Sequence, residues 1–345
     1  MKNQFIKAVH LRVGTSDVTD SLIKYIKEGL APLGVNLLCL EFNPGYNYRC
    51  YPELANGTFG RGDAKKVAAA AKEAGIEIVP LFMCLGHQGW RFERNSLLKV
   101  YPEFDETPHI AEDLDPEKIS GEEFYCRSWC ASNDDVYKYV FPMMDEIMED
   151  FGASCLHVGM DEVFLLAEDT CPRCKGKSRP ELFARTVNIL HNHIVKERDW
   201  QMMMWADRLN HADAFGYHMW EGDKLGTWPA ADMIPTDIIL TDWHYDMNEE
   251  GFAGIGALIE KGFTVLPAGW RDLKQTKFLL DEALKHAKAA KGDGRLAGMM
   301  ITCWSMASDE LLGKMLDILK SGKQDEENAD ERGIASSVLY VTEKL

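Results

Sequence analysis

The chain has 345 residues, 46% of them hydrophobic, and a formal net charge of -17. That length suits one large barrel domain or two ordinary domains, and no apolar run approaches the roughly 18 residues of a membrane span. So acidic a chain would be repelled by a phosphate backbone or an anionic membrane surface, so neither nucleic acid nor membrane is expected as a partner.

Short β-rich apolar runs alternate with helical patterns along the whole chain. The first strand is expected at residues 8–13, followed by a helix with Leu22, Ile26 and Leu30 on one face. Strands two and three are expected at 35–42 and 76–82, with a helix near 63–74 between them that Gly75 ends. Residues 86–133 break the rhythm with aromatics, prolines and acids, and are too long for a plain connection, so they read as an active-site excursion. Asn133 or Asp134 then caps a helix running to Phe151, with Pro142 awkwardly inside it. The fourth strand is 155–159, and a second insertion, 167–179, precedes a helix bearing Phe183, Val187, Leu190 and Ile194. The remaining strands are expected at 202–205, 238–243, 263–268 and 296–303, with helices near 252–261, 274–290 and 309–319 and a loop over 211–236.

Eight strands alternating with helices point to an α/β fold, a single (β/α)8 TIM barrel over 1–322 with loop insertions after strands 3 and 4. A charged C-terminal tail, 323–345, would follow, with a short final helix as an open alternative within it. An open doubly wound sheet gives the same alternation, but no glycine-rich phosphate loop follows the first strand. The N-terminal stretch lacks the pattern of a secretory signal. Cys39, Cys84, Cys155 and Cys303 sit in apolar runs, which suits reduced, buried thiols. A cytoplasmic protein is therefore expected, of unknown oligomeric state.

Barrels present catalytic groups at the C-terminal ends of their strands. Those ends carry Arg12; Glu41 and Asn43; His87; Asp161 and Glu162; Asp207 and Arg208; Asp242, His244, Tyr245 and Asp246; Arg271 and Asp272; and Ser305. Trp90, Trp205, Trp243, Trp270 and Trp304 recur among them. Acids among tryptophans suit a carbohydrate, because sugar C–H faces stack on indoles while carboxylates bind hydroxyls. The pair Asp161-Glu162 stands out because it follows a buried strand directly. Two adjacent carboxylates repel each other unless one is protonated or partnered, which makes a functional role the better reading.

His157-Val158-Gly159-Met160-Asp161-Glu162-Val163 resembles the His-x-Gly-Gly-Asp-Glu signature of family 20 glycoside hydrolases, the β-N-acetylhexosaminidases. The stretch from Val79-Pro80-Leu81 to Gly86-His87, the segments Met204-Trp205-Ala206-Asp207 and Asp242-Trp243-His244-Tyr245-Asp246, and Cys303-Trp304-Ser305 are similar to that family's segments, in its order. The resemblance implies a substrate-assisted retaining mechanism that needs no cofactor. It makes Glu162 the general acid and then base, Asp161 the group that orients the substrate's acetamido, and Tyr245 its hydrogen-bond partner. It makes Trp205, Trp220 and Trp304 the wall of the acetamido pocket and gives sugar-hydroxyl contacts to Arg12. Beside these, His87 is placed in the substrate site, with a surface position as its alternative. Asp246 is placed there too and could orient the Tyr245 hydroxyl, and His157 stands behind the acid pair. Two departures mark the chain: Met160 replaces the signature's second glycine, and Met306 stands where the family often has a glutamate.

Single residues keep plainer readings too. Arg12 could pair with Glu41, and Trp243 and Trp270 could be packing. Cys171-Pro-Arg-Cys174 resembles half of a zinc knuckle, and Cys126 and Cys130 lie in the other insertion. A structural zinc held by the four thiolates of Cys126, Cys130, Cys171 and Cys174 is one expectation, and unligated thiols or a disulfide are the others. Two other functions stay open. One is a retaining glycosidase whose nucleophile is Asp207, Asp242 or Glu41; the other is a carbohydrate-binding barrel without turnover.

Overall fold

The computed structural model describes residues 5–42, 45–90, 93–112, 125–290, 294–325 and 330–345, so Asn43 lies outside the described residues. All pairings between its strands are parallel: β1 (Ile6–Arg12), β2 (Leu37–Glu41), β3 (Glu77–Cys84), β4 (Cys155–Gly159), β5 (Gln201–Trp205), β6 (Ile239–Trp243), β7 (Thr264–Gly269), β8 (Arg295–Leu296) and β9 (Gly298–Ile301). The sheet closes because β7 pairs with both β6 and β9, and β9 pairs back to β1. β8 and β9 together occupy the place of the eighth barrel strand expected at 296–303. Gly298 divides them, with φ +147 and a Cα so close to Ile6 that a side chain would meet its backbone at 2.0 Å.

Two periodicities build the two layers. Strand side chains alternate between faces. Leu37 and Cys39, Val79 and Leu81, Met203 and Trp205, and Leu266 and Ala268 therefore fill the barrel interior. The other face of the strands, including Leu38, Leu40, Leu156 and Val158, packs under the helices. These are α1 (Thr19–Tyr25), α2 (Arg61–Glu73), α3 (Ser96–Val100), α4 (Tyr137–Phe151), α5 (Arg179–His191), α6 (Ala212–Phe215), α7 (Ala253–Glu260), α8 (Leu273–Ala289), α9 (Asp309–Ser321) and α10 (Asp330–Lys344). α4 runs through Pro142, and Asp272 and Ser308 cap α8 and α9 by accepting from Gln275 N and Leu311 N. Between β5 and β6 only the four-residue α6 and short 3-10 turns appear, in keeping with the loop expected there.

The C-terminal segment corrects the expected tail at 323–345. The charges of α10 lie at its two ends, Asp330, Glu331 and Arg332 at the start and Glu343 and Lys344 at the finish. Between them, Ile334, Ala335, Val338, Leu339 and Val341 are buried against α8 and α9. Gly333 permits this approach, since a Cβ there would meet Arg271 O at 1.9 Å. The barrel unit thus extends to the last residues, with an extra helix in its outer layer.

Candidate active site

Among the described residues, four of the six non-glycine residues with positive φ lie just beyond β3 and β4: Leu85 (+63°), His87 (+54°), Met160 (+74°) and Glu162 (+50°). Backbone in this region is costly for residues with a Cβ, and such strain gathers where side chains must be aimed. Gly86 lets the two strand ends touch, because a side chain there would meet Asp161 O at 2.9 Å. The result brings His87 Nε2 to 3.2 Å from Asp161 Oδ2 and 3.1 Å from Glu162 Oε2. Burial opposes charge on this ring, but Cys126 and the two carboxylates hold its pKa well above the usual histidine value. Burial raises Asp161 above the usual aspartate range, against the pull of the His87 cation.

These three groups line a cleft of about 960 Å³ at the C-terminal mouth of the barrel, a size that suits a small ligand. Arg12, Trp220, Tyr245, Asp246 and Trp304 line it as well. Trp304 Nε1 donates to Tyr245 Oη at 3.0 Å. An oxygen that accepts from an indole directs its own hydrogen elsewhere. The sequence suggested Asp246 as the orienting partner of Tyr245; Trp304 takes that place, with Thr302 Oγ1 3.2 Å from Oη. Trp243 stacks on Tyr245 at 4.9 Å, and both Trp243 and Trp270 face the cleft.

Trp205, expected in the wall of the acetamido pocket, and His157, expected behind the acid pair, both stand beneath the cleft. His157 and Trp205 are fully buried and do not line the cleft. Both point into the barrel interior, with ring centres 4.7 Å apart, and so form a floor beneath it. His157 Nε2 donates to Thr241 Oγ1 at 2.7 Å, since that hydroxyl itself donates to Met204 O. Gly159 N donates to Nδ1 of the same ring at 3.1 Å. This pairing fits a neutral ring, and burial depresses its pKa well below the usual value. His157 thereby braces the turn leading into Asp161.

The candidate nucleophiles are committed to other partners. Asp207 is fully buried, accepts from Glu162 N at 2.9 Å and from Arg208 Nε at 2.7 Å, and is pushed up to about 6 by burial. Asp242 is fully buried against Asn210 and His244. Glu41 does face the cleft, but it is held by His10 at 3.1 Å and Arg12 at 3.3 Å. Arg12 pairs with Glu41, as one reading of the sequence expected, and it also lines the cleft.

Sequence reasoning missed Glu221 and Tyr125, and it placed Arg208 at a strand end without giving it a role. Glu221 accepts from Tyr245 N at 2.9 Å and lies 3.2 Å from His244 Nδ1, so it sets the position of the tyrosine. Arg208 Nη2 donates to the carbonyls of Met219, Trp220 and Gly222, which fixes the loop that carries Trp220 and Glu221. Tyr125 lines the cleft and meets Trp220 at 4.9 Å and Trp90 at 4.6 Å. None of these has a periodic signal; only the aromatic bias of the excursion pointed towards Tyr125.

The expected cysteine set also needs correction. Cys126 Sγ accepts from His87 N at 3.4 Å and donates to Glu162 O at 3.5 Å. It ties the two strand ends at the cleft and belongs to no ligand cluster with the other three. Cys130, Cys171 and Cys174 do come together, with Glu106 as the fourth group. All nine cysteines are free, so no disulfide forms. Met160 is buried, and Met306 is exposed beside Gly14 and does not line the cleft.

The model of the glycosyl hydrolase family 20 catalytic domain matches residues 41–305. The chain is 26% identical over 234 residues to a beta-hexosaminidase 1 of Coccidioides posadasii, an alignment covering 63% of this chain and 35% of that protein. The chain thus spans about a third of the length of that curated relative. Among solved structures it is similar to a Flavobacterium johnsoniae chitobiase, at 18% identity and a TM-score of 0.64, over 97% of this chain and 51% of that one. It is similar to a Bacteroides fragilis beta-N-acetylhexosaminidase at 14% identity and a TM-score of 0.64, over 97% and 67% respectively. At those identities the two structures speak for the fold.

Proposed function

Because the chain belongs to glycosyl hydrolase family 20, whose catalytic-domain model spans residues 41–305, we propose that it releases β-linked N-acetylhexosamine by a substrate-assisted, retaining route. The observation that carries this reading is the meeting of Asp161, Glu162 and Tyr245 on the wall of one tryptophan-lined cleft. The acetamido oxygen of the bound sugar attacks C1 as the glycosidic C–O bond breaks. Glu162 gives its proton to the departing oxygen, and a positively charged oxazolinium forms. Asp161 accepts the acetamido N–H and offsets that charge, while Tyr245 donates to the acetamido oxygen. Water then attacks C1, Glu162 takes its proton, and the acetamide is regenerated with net retention. No step draws on a cofactor.

His87 supports this cycle as a fixed cation that keeps Asp161 ionised beside Glu162. Asp246 is exposed on the cleft wall, where it is available to sugar hydroxyls. A reducing, cytoplasmic setting is part of the same reading, supported by nine unpaired thiols.

The test is a set of aryl β-glycosides. Turnover is expected on the N-acetylglucosaminide, with none on the matching glucoside. Progressive fluorination of the acetyl methyl weakens the acetamido oxygen as a nucleophile and should slow turnover at each step. Equal turnover of the glucoside, or rates indifferent to fluorination, would transfer the nucleophile to an enzyme carboxylate. Binding without turnover of any glycoside would make the protein a carbohydrate-binding barrel.

A further inference from the structure

The two excursions that leave the barrel after β3 and β4 meet at a buried cluster outside the cleft. A carboxylate oxygen of Glu106 and the Sγ atoms of Cys130, Cys171 and Cys174 all lie within 4.8 Å of one another. All four residues are at most 1% exposed. Cys130 Sγ is 3.6 Å from Cys171 Sγ and 3.3 Å from Cys174 Sγ. A disulfide needs about 2.05 Å, and three thiols cannot all pair. Four ligands around zinc with bonds of about 2.3 Å leave neighbouring sulfurs about 3.8 Å apart. The observed separations are close to that spacing.

The surroundings fit a ligand shell. Glu106 Oε1 is fixed by Glu168 N at 3.0 Å, while Oε2 is buried and has no hydrogen-bond partner among the described residues. A buried carboxylate oxygen left in this way is costly unless a cation completes it. Cys171 and Cys174 sit on a tight turn in which Cys171 O accepts from Cys174 N at 3.3 Å and Lys175 N at 2.9 Å. This turn points both sulfurs the same way. Ser132 Oγ lies 3.4 Å from Cys174 Sγ, and Lys177 Nζ donates to that hydroxyl at 3.0 Å. Arg173, Lys175 and Lys177 bring positive charge to a cluster whose ionised ligands outweigh a divalent ion.

We propose that Cys130, Cys171, Cys174 and Glu106 form a structural zinc site that clamps the β3 and β4 excursions together. Three thiolates and one carboxylate in a closed, buried shell select zinc over the harder oxygen-seeking cations. The site differs from the set suggested by spacing, because Cys126 is occupied at the cleft and Glu106 takes its place. Its consequence is positional. The first excursion carries His87 and Tyr125, and Cys171 follows Glu162 by nine residues. The clamp therefore holds the two backbones that bring His87 to Asp161 and Glu162, without touching the reaction itself.

Metal analysis of the full chain, purified with zinc and then desalted, is expected to give one zinc per chain. A folded chain that binds none overturns the proposal. Cys130→Ser, Cys171→Ser and Cys174→Ser should each weaken zinc retention against a competing chelator by at least about 100-fold. Glu106→Gln should hasten zinc loss, and unchanged retention would remove Glu106 from the shell. Cys126→Ser and Cys50→Ser should keep full metal content, and loss in either would refute the assigned set. Should the serine variants fail to fold, the wild-type chain loaded with cobalt decides. Thiolate-to-metal charge transfer with intense tetrahedral visible bands is expected, and an octahedral spectrum overturns the site. None of these readouts depends on glycosidase activity, so they stand apart from the proposed reaction.

Discussion

His87 Nε2 lies 3.1 Å from Glu162 Oε2, and the same nitrogen is 3.2 Å from Asp161 Oδ2. One cation thus serves two neighbouring acids whose strand-end positions would otherwise set them against each other. This arrangement explains how adjacent carboxylates persist where Asp161 is only 4% exposed.

Replacing His87 by Asn removes that cation while keeping a polar side chain. Asp161 should then hold its negative charge less firmly, and kcat should fall about 100-fold, with a smaller change in KM. Steady-state kinetics on an aryl N-acetylglucosaminide across pH checks this. A variant with wild-type kcat would show that the contact is structural only.

Glu162→Gln should depend on the leaving group. With a poor leaving group the loss should reach about 100- to 10,000-fold, because proton donation is gone. With a dinitrophenyl leaving group, which departs without a proton, the first step should be largely spared. Equal losses on both substrates would remove the acid role from Glu162.

Tyr245→Phe should lower kcat by about 100-fold if its hydroxyl steadies the acetamido oxygen. It also leaves Trp304 Nε1, now donating at 3.0 Å, without an acceptor. That orphaned donor should cost about 1–3 kcal/mol of stability. Kinetics and chemical denaturation report the two effects separately, and a variant unchanged in both would contradict the geometry.

Met160→Gly tests whether the departure from the family signature is tolerated. Backbone strain at φ +74° would be relieved by about 1–2 kcal/mol. Loss of a fully buried methionine side chain costs about 2–5 kcal/mol. The second effect is larger, so the variant should lose about 1–3 kcal/mol in a denaturant titration. A gain in stability would mean that strain dominates at this turn.

His244 gives the pH dependence of stability. Burial disfavours its charge, but Asp242 and Glu221 raise its pKa to about 9. A histidine raised in this way stabilises the fold fully below its unfolded value near 6.5, and that contribution is lost as pH rises through about 9. The wild type should therefore lose on the order of 3 kcal/mol between those limits. His244→Gln should be less stable at about pH 6 and show a flatter profile above about pH 6.5. Parallel profiles for the two proteins would exclude the linkage.

The sequence by itself determined what depends on near neighbours. Strand β4 is legible in Cys155–Gly159 because its residues are mostly apolar or small and buried on both faces, as parallel strands are. The position of Asp161-Glu162 at the barrel mouth follows, because a strand end fixes which face of the barrel its next residues reach. Tertiary structure alone decided depth and partnership. His157 and Trp205 carry the signature's residue types, yet inward-facing strand positions below the rim bury them under the cleft. Glu221 reaches Tyr245 across 24 residues, and Glu106 joins three cysteines, two of them from the other excursion. α10 likewise has a buried face that its charged residues conceal until neighbouring helices supply a partner. Periodicity encodes which way a side chain faces within its own element, whereas the path of a long loop is set by packing against residues far away in sequence.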